Sequence, residues 1–134
     1  MTVQDVMTRK VVTIGADDSV SRARARMSAA GVHQLVVRDR RGWVVGVLST
    51  GDIRRVPDGG AVSDFMCRRL LIVRPGTSVG SAAALMRAHA IGSLPVLRGT
   101  RLVGIVTVSD LLDVVDEADD AAFDRLRPAA TRAI

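Results

Sequence analysis

The hydrophobic pattern of this chain occurs twice, in residues 3–53 and again in residues 62–111. Matching residues keep a constant spacing until one deletion in the middle loop shortens the second copy. A duplicated unit that cannot bury its apolar face alone packs against its copy, so the repeat predicts a pseudo-symmetric pair with related clefts between the copies. The clearest matches pair Val3, Asp5, Met7, Ser19, Val20, Ala23, Met27, Leu35 and Val37 with Val62, Asp64, Met66, Ser78, Val79, Ala82, Met86, Leu94 and Val96.

Each copy begins with a short helical turn, Thr2–Met7 or Val62–Met66. A short branched apolar run follows, residues 11–14 in one copy and 70–73 in the other, and polar, Gly or Pro residues flank it. Such a run predicts a buried strand.

A helix is predicted next in each copy. Ser19 and Ser78 are placed as N-caps, where a hydroxyl accepts a backbone N–H that the helix leaves unpaired. Apolar residues recur behind them at three- and four-residue steps, and Gly31 and Gly92 are predicted to mark the helix ends. The methionines on this face are interpreted as core residues.

Two strands and a last helix complete each copy, giving β-α-β-β-α twice. The predicted fold class is therefore α+β, with two pseudo-symmetric repeats packed sheet to sheet as one module. The strands are predicted at Gln34–Arg38 and Val44–Leu48, then at Leu94–Leu97 and Leu102–Val106. The predicted boundaries are 1–57 for the first repeat, 58–61 for a linker, 62–118 for the second repeat and 119–134 for a C-terminal helix or frayed tail.

One motif in the repeat carries chemistry. Gly46–Asp52 and Gly104–Asp110 each contain a strand glycine, a hydroxyl residue and an aspartate three positions after the hydroxyl. This spacing is typical of a capping box at a helix start. The same geometry also suits a nucleotide, because a hydroxyl at a helix start can contact phosphate and the carboxylate can accept hydrogen bonds from ribose. Both interpretations stay open on the residues alone.

Composition narrows the class of protein. The chain has 134 residues, of which 48% are hydrophobic and 25% charged, a balance typical of one globular unit. Its net charge is +5, and Lys10 is the single lysine among 19 basic residues. Nucleic acid is not expected as a partner, because two Phe, one Trp and no Tyr offer little base stacking.

The single cysteine cannot form an internal disulfide, which favours a reducing cytoplasm. We expect Cys67 to be a half-buried structural thiol, with redox sensing as the alternative. Neither a signal peptide nor a membrane helix is expected, because no apolar run is long enough.

In its ordered set of motifs, residues 2–115 resemble a tandem pair of CBS domains, the cystathionine-β-synthase type, or Bateman module. The set comprises Asp-x-Met near the start of each copy, a Ser-Val…Ala…Met helix, a Leu-Pro-Val strand and the Gly-x-x-Ser/Thr-x-x-Asp finish. The resemblance implies a pair of three-stranded sheets with clefts that bind adenosine-containing ligands in many relatives.

The resemblance also implies which residues face each other. A cleft takes its hydroxyl and aspartate from one copy and its strand edges from the other. Carried over, Thr107 and Asp110 face Lys10, Val12, Val32, His33 and Gln34, and Ser49 and Asp52 face Arg69, Leu71, Ile91, Gly92 and Ser93.

The two clefts are not expected to be equivalent. His33-Gln34 is bulky and polar where the other copy has Gly92-Ser93. We expect the cleft with Thr107 and Asp110 to contact phosphate, because Lys10 and His33 are assigned to it. The alternative for His33 is a buried, hydrogen-bonded structural histidine. Two dispersed histidines and one cysteine predict no metal site.

These features predict a stand-alone regulatory CBS-pair module rather than an enzyme, since no catalytic motif is present. We expect it to bind AMP, ADP, ATP or another adenosyl compound, as in energy sensing, and to need no cofactor. It is expected to form a homodimer and to signal through another protein of unknown identity. The alternative is a structural or interaction module that keeps the fold without a ligand.

Overall fold

The structure is a computed structural model and describes residues 1–115. The predicted repeat boundary at residue 118 and the predicted tail at 119–134 lie outside these residues. Each part of the described chain mixes helices and strands, so the predicted α+β class is confirmed. In chain order the elements are α1 (Val3–Val6), β1 (Thr13–Gly15), α2 (Val20–Ala30), β2 (Gln34–Arg38), β3 (Val44–Ser49), α3 (Thr50–Ile53), α4 (Val62–Phe65), α5 (Val79–His89), β4 (Ser93–Arg98), β5 (Arg101–Thr107) and α6 (Val108–Val115).

The chain divides into two units. Of the described residues, the central unit comprises Val11–Leu70, and the terminal unit combines Met1–Lys10 with residues 71–115. The opening turn of each sequence copy therefore belongs to the unit that contains the strands of the other copy. In the terminal unit, α1 packs against β5 and α6.

The central unit contains a three-stranded sheet with β2 in the middle. β1 is parallel to β2, and β3 is antiparallel to it. A parallel pair needs a crossover connection, which α2 supplies. In the terminal unit β4 and β5 form an antiparallel pair.

The predicted N-caps of the two long helices are confirmed. Ser19 Oγ accepts the Arg22 N–H and Ser78 Oγ accepts the Ser81 N–H, both at 3.0 Å. The first helix ends at Gly31 as predicted.

The predicted end of the second helix at Gly92 is wrong. This helix ends at Ala90, which has a left-handed backbone conformation with φ of 54°. Its N–H donates to the Met86 carbonyl, so the helix closes two residues earlier than the glycine suggested.

The predicted strand at residues 70–73 is too long. Only Val73 pairs with β4: its N–H donates to the Pro95 carbonyl and its carbonyl accepts the Leu97 N–H, both at 3.0 Å. Leu70 is 37% exposed. The terminal unit thus keeps one parallel bridge where the central unit has the strand β1.

Two prolines explain this difference. In the central unit the N–H groups of Val36 and Ala16 donate ladder hydrogen bonds on the two sides of the β1–β2 pair, at 3.1 and 2.8 Å. Pro95 and Pro75 stand at the matching positions of the terminal unit. Because proline has no N–H, neither bond can form there, and the pairing is limited to Val73.

Each unit buries an apolar core of its own, and Met27 and Met86 are buried in these cores as predicted. Among residues 1–115, none of the helices combines the length and the apolar character needed to cross a membrane. The buried core of the central unit comprises Ile14, Val20, Ala23, Met27, Leu35, Val37, Leu48, Ile53 and Val62. That of the terminal unit comprises Val3, Met7, Val73, Ala82, Met86, Leu94, Val96, Val106 and Leu111.

Candidate functional site

The repeated motif forms one hydroxyl-and-carboxylate corner in each unit, where a strand passes into a helix. In the terminal unit, the Thr107 N–H donates to Asp110 Oδ2 at 2.9 Å and the Asp110 N–H donates to Thr107 Oγ1 at 3.2 Å. In the central unit, the Ser49 N–H donates to Asp52 Oδ2 at 2.8 Å and the Asp52 N–H donates to Ser49 Oγ at 3.3 Å. We call these the Asp110 corner (Thr107–Asp110) and the Asp52 corner (Ser49–Asp52).

These four hydrogen bonds have a chemical consequence for each corner. They are the reciprocal bonds of a capping box, so the capping interpretation is correct for both corners. Each capping pair occupies one carboxylate oxygen and one acceptor position of the hydroxyl. The hydroxyl proton and the second carboxylate oxygen are outside the pair, so capping and ligand contact are chemically compatible.

Each corner lies beside the segment that follows the long helix of its own unit. The Thr50 N–H donates to the His33 carbonyl at 2.9 Å, and Gln34 pairs with Ser49 across the sheet. In the terminal unit, the Val108 N–H donates to the Gly92 carbonyl at 3.1 Å. Ser93 likewise pairs with Thr107 across the sheet.

Within each unit the structure therefore brings together one group of predicted residues. His33 and Gln34 adjoin the Asp52 corner, and Gly92 and Ser93 adjoin the Asp110 corner. The grouping implied by the resemblance joins residues of both units, and it stays a prediction.

The two basic residues predicted to contact phosphate, Lys10 and Arg69, are both exposed. The arginines before them have structural roles in the short helical turns. Arg9 donates to the Gln4 carbonyl at 3.4 Å, and Arg68 donates to the Ser63 carbonyl at 2.6 Å. All four basic residues are exposed, and Arg9 and Arg68 differ from Lys10 and Arg69 in contacting a backbone carbonyl of the preceding helical turn.

The apolar residues that the resemblance assigns to the clefts are half-buried. Leu71 differs from its counterpart Val12 in the donor available to its backbone carbonyl. The Val12 carbonyl accepts the Val36 N–H at 3.1 Å. Proline at position 95 removes that donor for Leu71. The half-buried group comprises Val12, Val32, Leu71 and Ile91.

Two expectations about exposure are wrong. His33 is exposed, which removes the alternative of a buried structural histidine. Cys67 is an exposed free thiol rather than a half-buried one: its backbone forms an isolated bridge with Val47, and its side chain is accessible to solvent. Its thiol contacts the Arg69 carbonyl at 3.9 Å.

A pocket of about 350 Å³ lies within the central unit, between α2 and the start of α3. Val32, His33, Thr50 and Ile53 contribute to its lining. Its volume falls in the range of small-molecule sites. Thr50 of the Asp52 corner lines this pocket, whereas Ser49 and Asp52 are absent from its lining.

Sequence reasoning missed one residue of the Asp110 corner. Thr8 Oγ1 donates to Asp110 Oδ1 at 3.1 Å. The signal was present in the repeat, because Thr8 aligns with Cys67 and so differs between the copies. The repeat is defined by positions that are identical in the two copies, so positions 8 and 67, which differ, are not among them.

One carboxyl outside the corners has a shifted pKa. The backbone and side chain of Thr2 donate hydrogen bonds to Asp5 at 2.8 and 3.1 Å and lower the pKa of that carboxyl below its usual range. Asp5 belongs to α1, so this shift concerns the helix start in the terminal unit.

Two segments of the chain, residues 3–59 and 62–117, match the family model described as CBS domain. A CBS domain-containing protein of Dictyostelium discoideum is 31% identical over 130 residues, which cover 84% of this chain and 90% of that protein. An uncharacterized protein of Methanocaldococcus jannaschii is 32% identical over 140 residues, 90% of this chain. The chain spans about a third of that relative's length, since the match covers 33% of it.

Among solved structures, one similar fold is a CBS domain pair in complex with 5′-methylthioadenosine and S-adenosyl-L-methionine. It superposes with a TM-score of 0.81 and covers 89% of this chain and 98% of that one, at 22% sequence identity. At that identity the likeness concerns the fold alone.

Proposed function

This chain belongs to the CBS domain family, and we propose that it is a regulatory module that binds an adenosine-containing ligand of the AMP, ADP and ATP class. The duplicated Ser/Thr-x-x-Asp corner carries the proposal. In both copies the same hydrogen-bond pattern orders a hydroxyl and a carboxylate one helical turn apart.

The chemistry of a corner suits the two polar parts of a nucleotide. The Ser49 hydroxyl accepts the Asp52 N–H, so its own proton can be donated to a phosphate oxygen. The Asp52 carboxylate has acceptor capacity for the ribose hydroxyls beyond the Ser49 N–H. Phosphate and carboxylate repel each other, so the ligand must present its phosphate to the hydroxyl and its ribose to the aspartate.

A phosphate also needs a cation, and for this role we propose the exposed basic residues Lys10 and Arg69, which occupy matching positions of the two copies. An adenine ring needs apolar surface, for which we propose the half-buried side chains of Val12, Val32, Leu71 and Ile91. This assignment follows the family resemblance.

The solved CBS domain pair with bound 5′-methylthioadenosine and S-adenosyl-L-methionine supports the ligand class in one respect. It is a protein of this fold that accommodates adenosyl compounds. The transfer of that ligand class to this chain is part of the proposal.

Signalling follows from differential affinity. A ligand that binds one arrangement of the module more tightly shifts its population toward that arrangement. We propose that a homodimer carries this shift to a partner protein. A cytoplasmic location belongs to the same proposal, because the exposed thiol of Cys67 stays reduced there.

A ligand-free interaction module is the second candidate, and the capping hydrogen bonds favour it. Both aspartates and both hydroxyls already stabilise helix starts within the chain. A chain that keeps these residues only as caps would retain the fold and its partner without a nucleotide response.

Thermal unfolding in the presence of AMP, ADP, ATP, S-adenosylmethionine and NADH separates the two candidates. A ligand at about 100 times its dissociation constant stabilises a fold by about 2.7 kcal/mol. For a chain of this size the expected rise in Tm is on the order of 5–10 °C. GMP is the matched control for the base. Equal Tm values with and without every adenosyl compound at millimolar concentration would favour the interaction module.

A further inference from the structure

The two corners are alike in their capping bonds but differ in a third contact. At the Asp110 corner, Thr8 Oγ1 donates to Asp110 Oδ1 at 3.1 Å and lies 3.4 Å from Oδ2. Two backbone hydrogen bonds hold residue 8 beside β5. The Thr8 N–H donates to the Ile105 carbonyl at 2.8 Å, and the Ile105 N–H donates to the Thr8 carbonyl at 2.9 Å.

Cys67 occupies the matching place in the central unit. It forms the same backbone bridge, with its N–H donating to the Val47 carbonyl at 2.9 Å and its carbonyl accepting the Val47 N–H at 3.3 Å. Its side chain is a thiol, a weak donor, and it contacts the Arg69 carbonyl rather than Asp52. Within residues 1–115, the hydrogen bonds to the Asp52 carboxylate come from the Ser49 N–H alone.

The exposure of the two aspartates also distinguishes the corners. Asp52 is exposed, whereas Asp110 is half-buried. One carboxylate is therefore open to a ligand, and the other already accepts hydrogen bonds from two groups of the chain.

The competing group has the chemistry of the ligand itself. A ribose offers hydroxyl donors to a carboxylate, and the Thr8 hydroxyl is a donor of the same kind at the same oxygen. We propose that the Thr8–Asp110 hydrogen bond closes the Asp110 corner to ribose, so that the Asp52 corner is the one that takes the nucleoside. This inference rests on the proposed function, and it differs from the sequence-based preference for Thr107 and Asp110.

A swap between the copies tests it. Thr8→Cys gives the Asp110 corner the side chain of the Asp52 corner, and Cys67→Thr does the reverse. Isothermal titration of the full chain with AMP measures affinity and stoichiometry. In the otherwise wild-type chain, we expect Asp52→Ala to weaken AMP binding at least about tenfold more than Asp110→Ala, a factor that corresponds to about 1.4 kcal/mol.

The swapped variants make the sharper comparison. Thr8→Cys combined with Asp52→Ala should bind AMP more tightly than Asp52→Ala alone, because the Asp110 corner is then open. Cys67→Thr should weaken AMP binding about tenfold, the effect of about 1.4 kcal/mol. Thr8→Ser keeps a hydroxyl and should reproduce the wild-type ratio of the two aspartate variants. Thr8→Val, which has nearly the shape of threonine, replaces Thr8→Cys if the latter unfolds.

The failures are distinguishable. Two results overturn the closure of the Asp110 corner and leave the proposed function standing. One is AMP binding that depends more on Asp110 than on Asp52. The other is equal affinity for AMP when Asp52→Ala is combined with Thr8→Cys and when it is combined with Thr8→Ser. Absence of binding in the wild type and in Thr8→Cys alike overturns both.

Discussion

Gly31 and Ala90 end the two long helices in the same left-handed backbone conformation, with φ of 66° and 54°. Glycine adopts this conformation without steric cost, but for a residue with a Cβ it costs about 1–2 kcal/mol. The second copy therefore carries local strain that the first copy avoids. No heavy atom lies within 4 Å of a Cβ built on Gly31, so the difference is one of backbone conformation rather than space.

Ala90→Gly should raise the free energy of unfolding. The relief of strain exceeds the entropy that glycine adds to the unfolded chain, and we expect a net gain of about 0.5–1 kcal/mol. Urea denaturation followed by circular dichroism measures it. The matched control is Gly31→Ala, which should lower the stability by about 1 kcal/mol. A loss of stability in Ala90→Gly would show that packing of the Ala90 methyl stabilises the protein by more than the left-handed backbone conformation destabilises it.

Pro95→Val should restore a ladder hydrogen bond in the terminal unit. Val36, the matching residue of the central unit, donates to the Val12 carbonyl at 3.1 Å. The new amide at position 95 should donate to the Leu71 carbonyl and extend the bridge at Val73 into a strand. Hydrogen exchange by NMR should find this amide protected.

The reverse change is the control for the proline argument. Val36→Pro removes the donor in the central unit and leaves a carbonyl unpaired, which should cost about 1–3 kcal/mol. Rapid exchange at position 95 together with an undiminished stability of Val36→Pro would contradict the role given to the prolines.

The strand glycines of the two motifs allow close approach of another segment in the same unit. A Cβ at Gly46 would lie 2.7 Å from the Cys67 carbonyl oxygen, and one at Gly104 would lie 2.5 Å from Met7 Sδ. The nearest backbone atom to a Cβ at Gly104 is the Thr8 carbonyl oxygen, at 3.1 Å. The Met7 side chain is flexible, whereas the Cys67 carbonyl belongs to the backbone and cannot move aside. Gly46→Ala should therefore destabilise by about 1–3 kcal/mol, the usual cost of overpacking, and more than Gly104→Ala. Thermal unfolding of the two variants gives the comparison, and the opposite order would contradict it.

Asp5 should make the stability of the folded protein depend on pH in the acid range. Its hydrogen bonds from Thr2 lower the pKa of the folded carboxyl below the usual value of 3.8. A lowered folded pKa stabilises the protein above the unfolded pKa, and this contribution is lost as pH falls through the folded pKa. Asp5→Asn should remove that part of the decline in Tm below about pH 4. The matched control is Asp64→Asn, whose helix has Ala61 at the N-cap and lacks the hydroxyl. Identical profiles of Tm against pH for the wild type and Asp5→Asn would show that Asp5 does not contribute to the loss of stability in acid.

The sequence predicted the features that depend on local pattern. Ser19 and Ser78 signalled helix starts through their hydroxyls, and the paired strands followed from short apolar runs between turns. The motif at Ser49 and Asp52 predicted a capped helix start because the two hydrogen bonds span only three residues.

Features that depend on contacts between distant residues were not predicted. The bond from Thr8 to Asp110 joins residues at opposite ends of the described chain. The short pairing at Val73 became explicable only when the ladder showed which residues face Pro95 and Pro75. Ala90 was missed because a helix end was sought at glycine.

If the Ser/Thr-x-x-Asp corners hold an adenosine compound, AMP binding must depend on their aspartates. Isothermal titration with AMP, of the wild-type chain and of an Asp52→Ala/Asp110→Ala double variant, measures this dependence. Circular dichroism first establishes that both proteins are folded. We expect saturable binding by the wild type and a loss of affinity of at least about a hundredfold, or about 2.7 kcal/mol, in the double variant. Equal affinity in the two proteins, or no heat of binding in either, would contradict it.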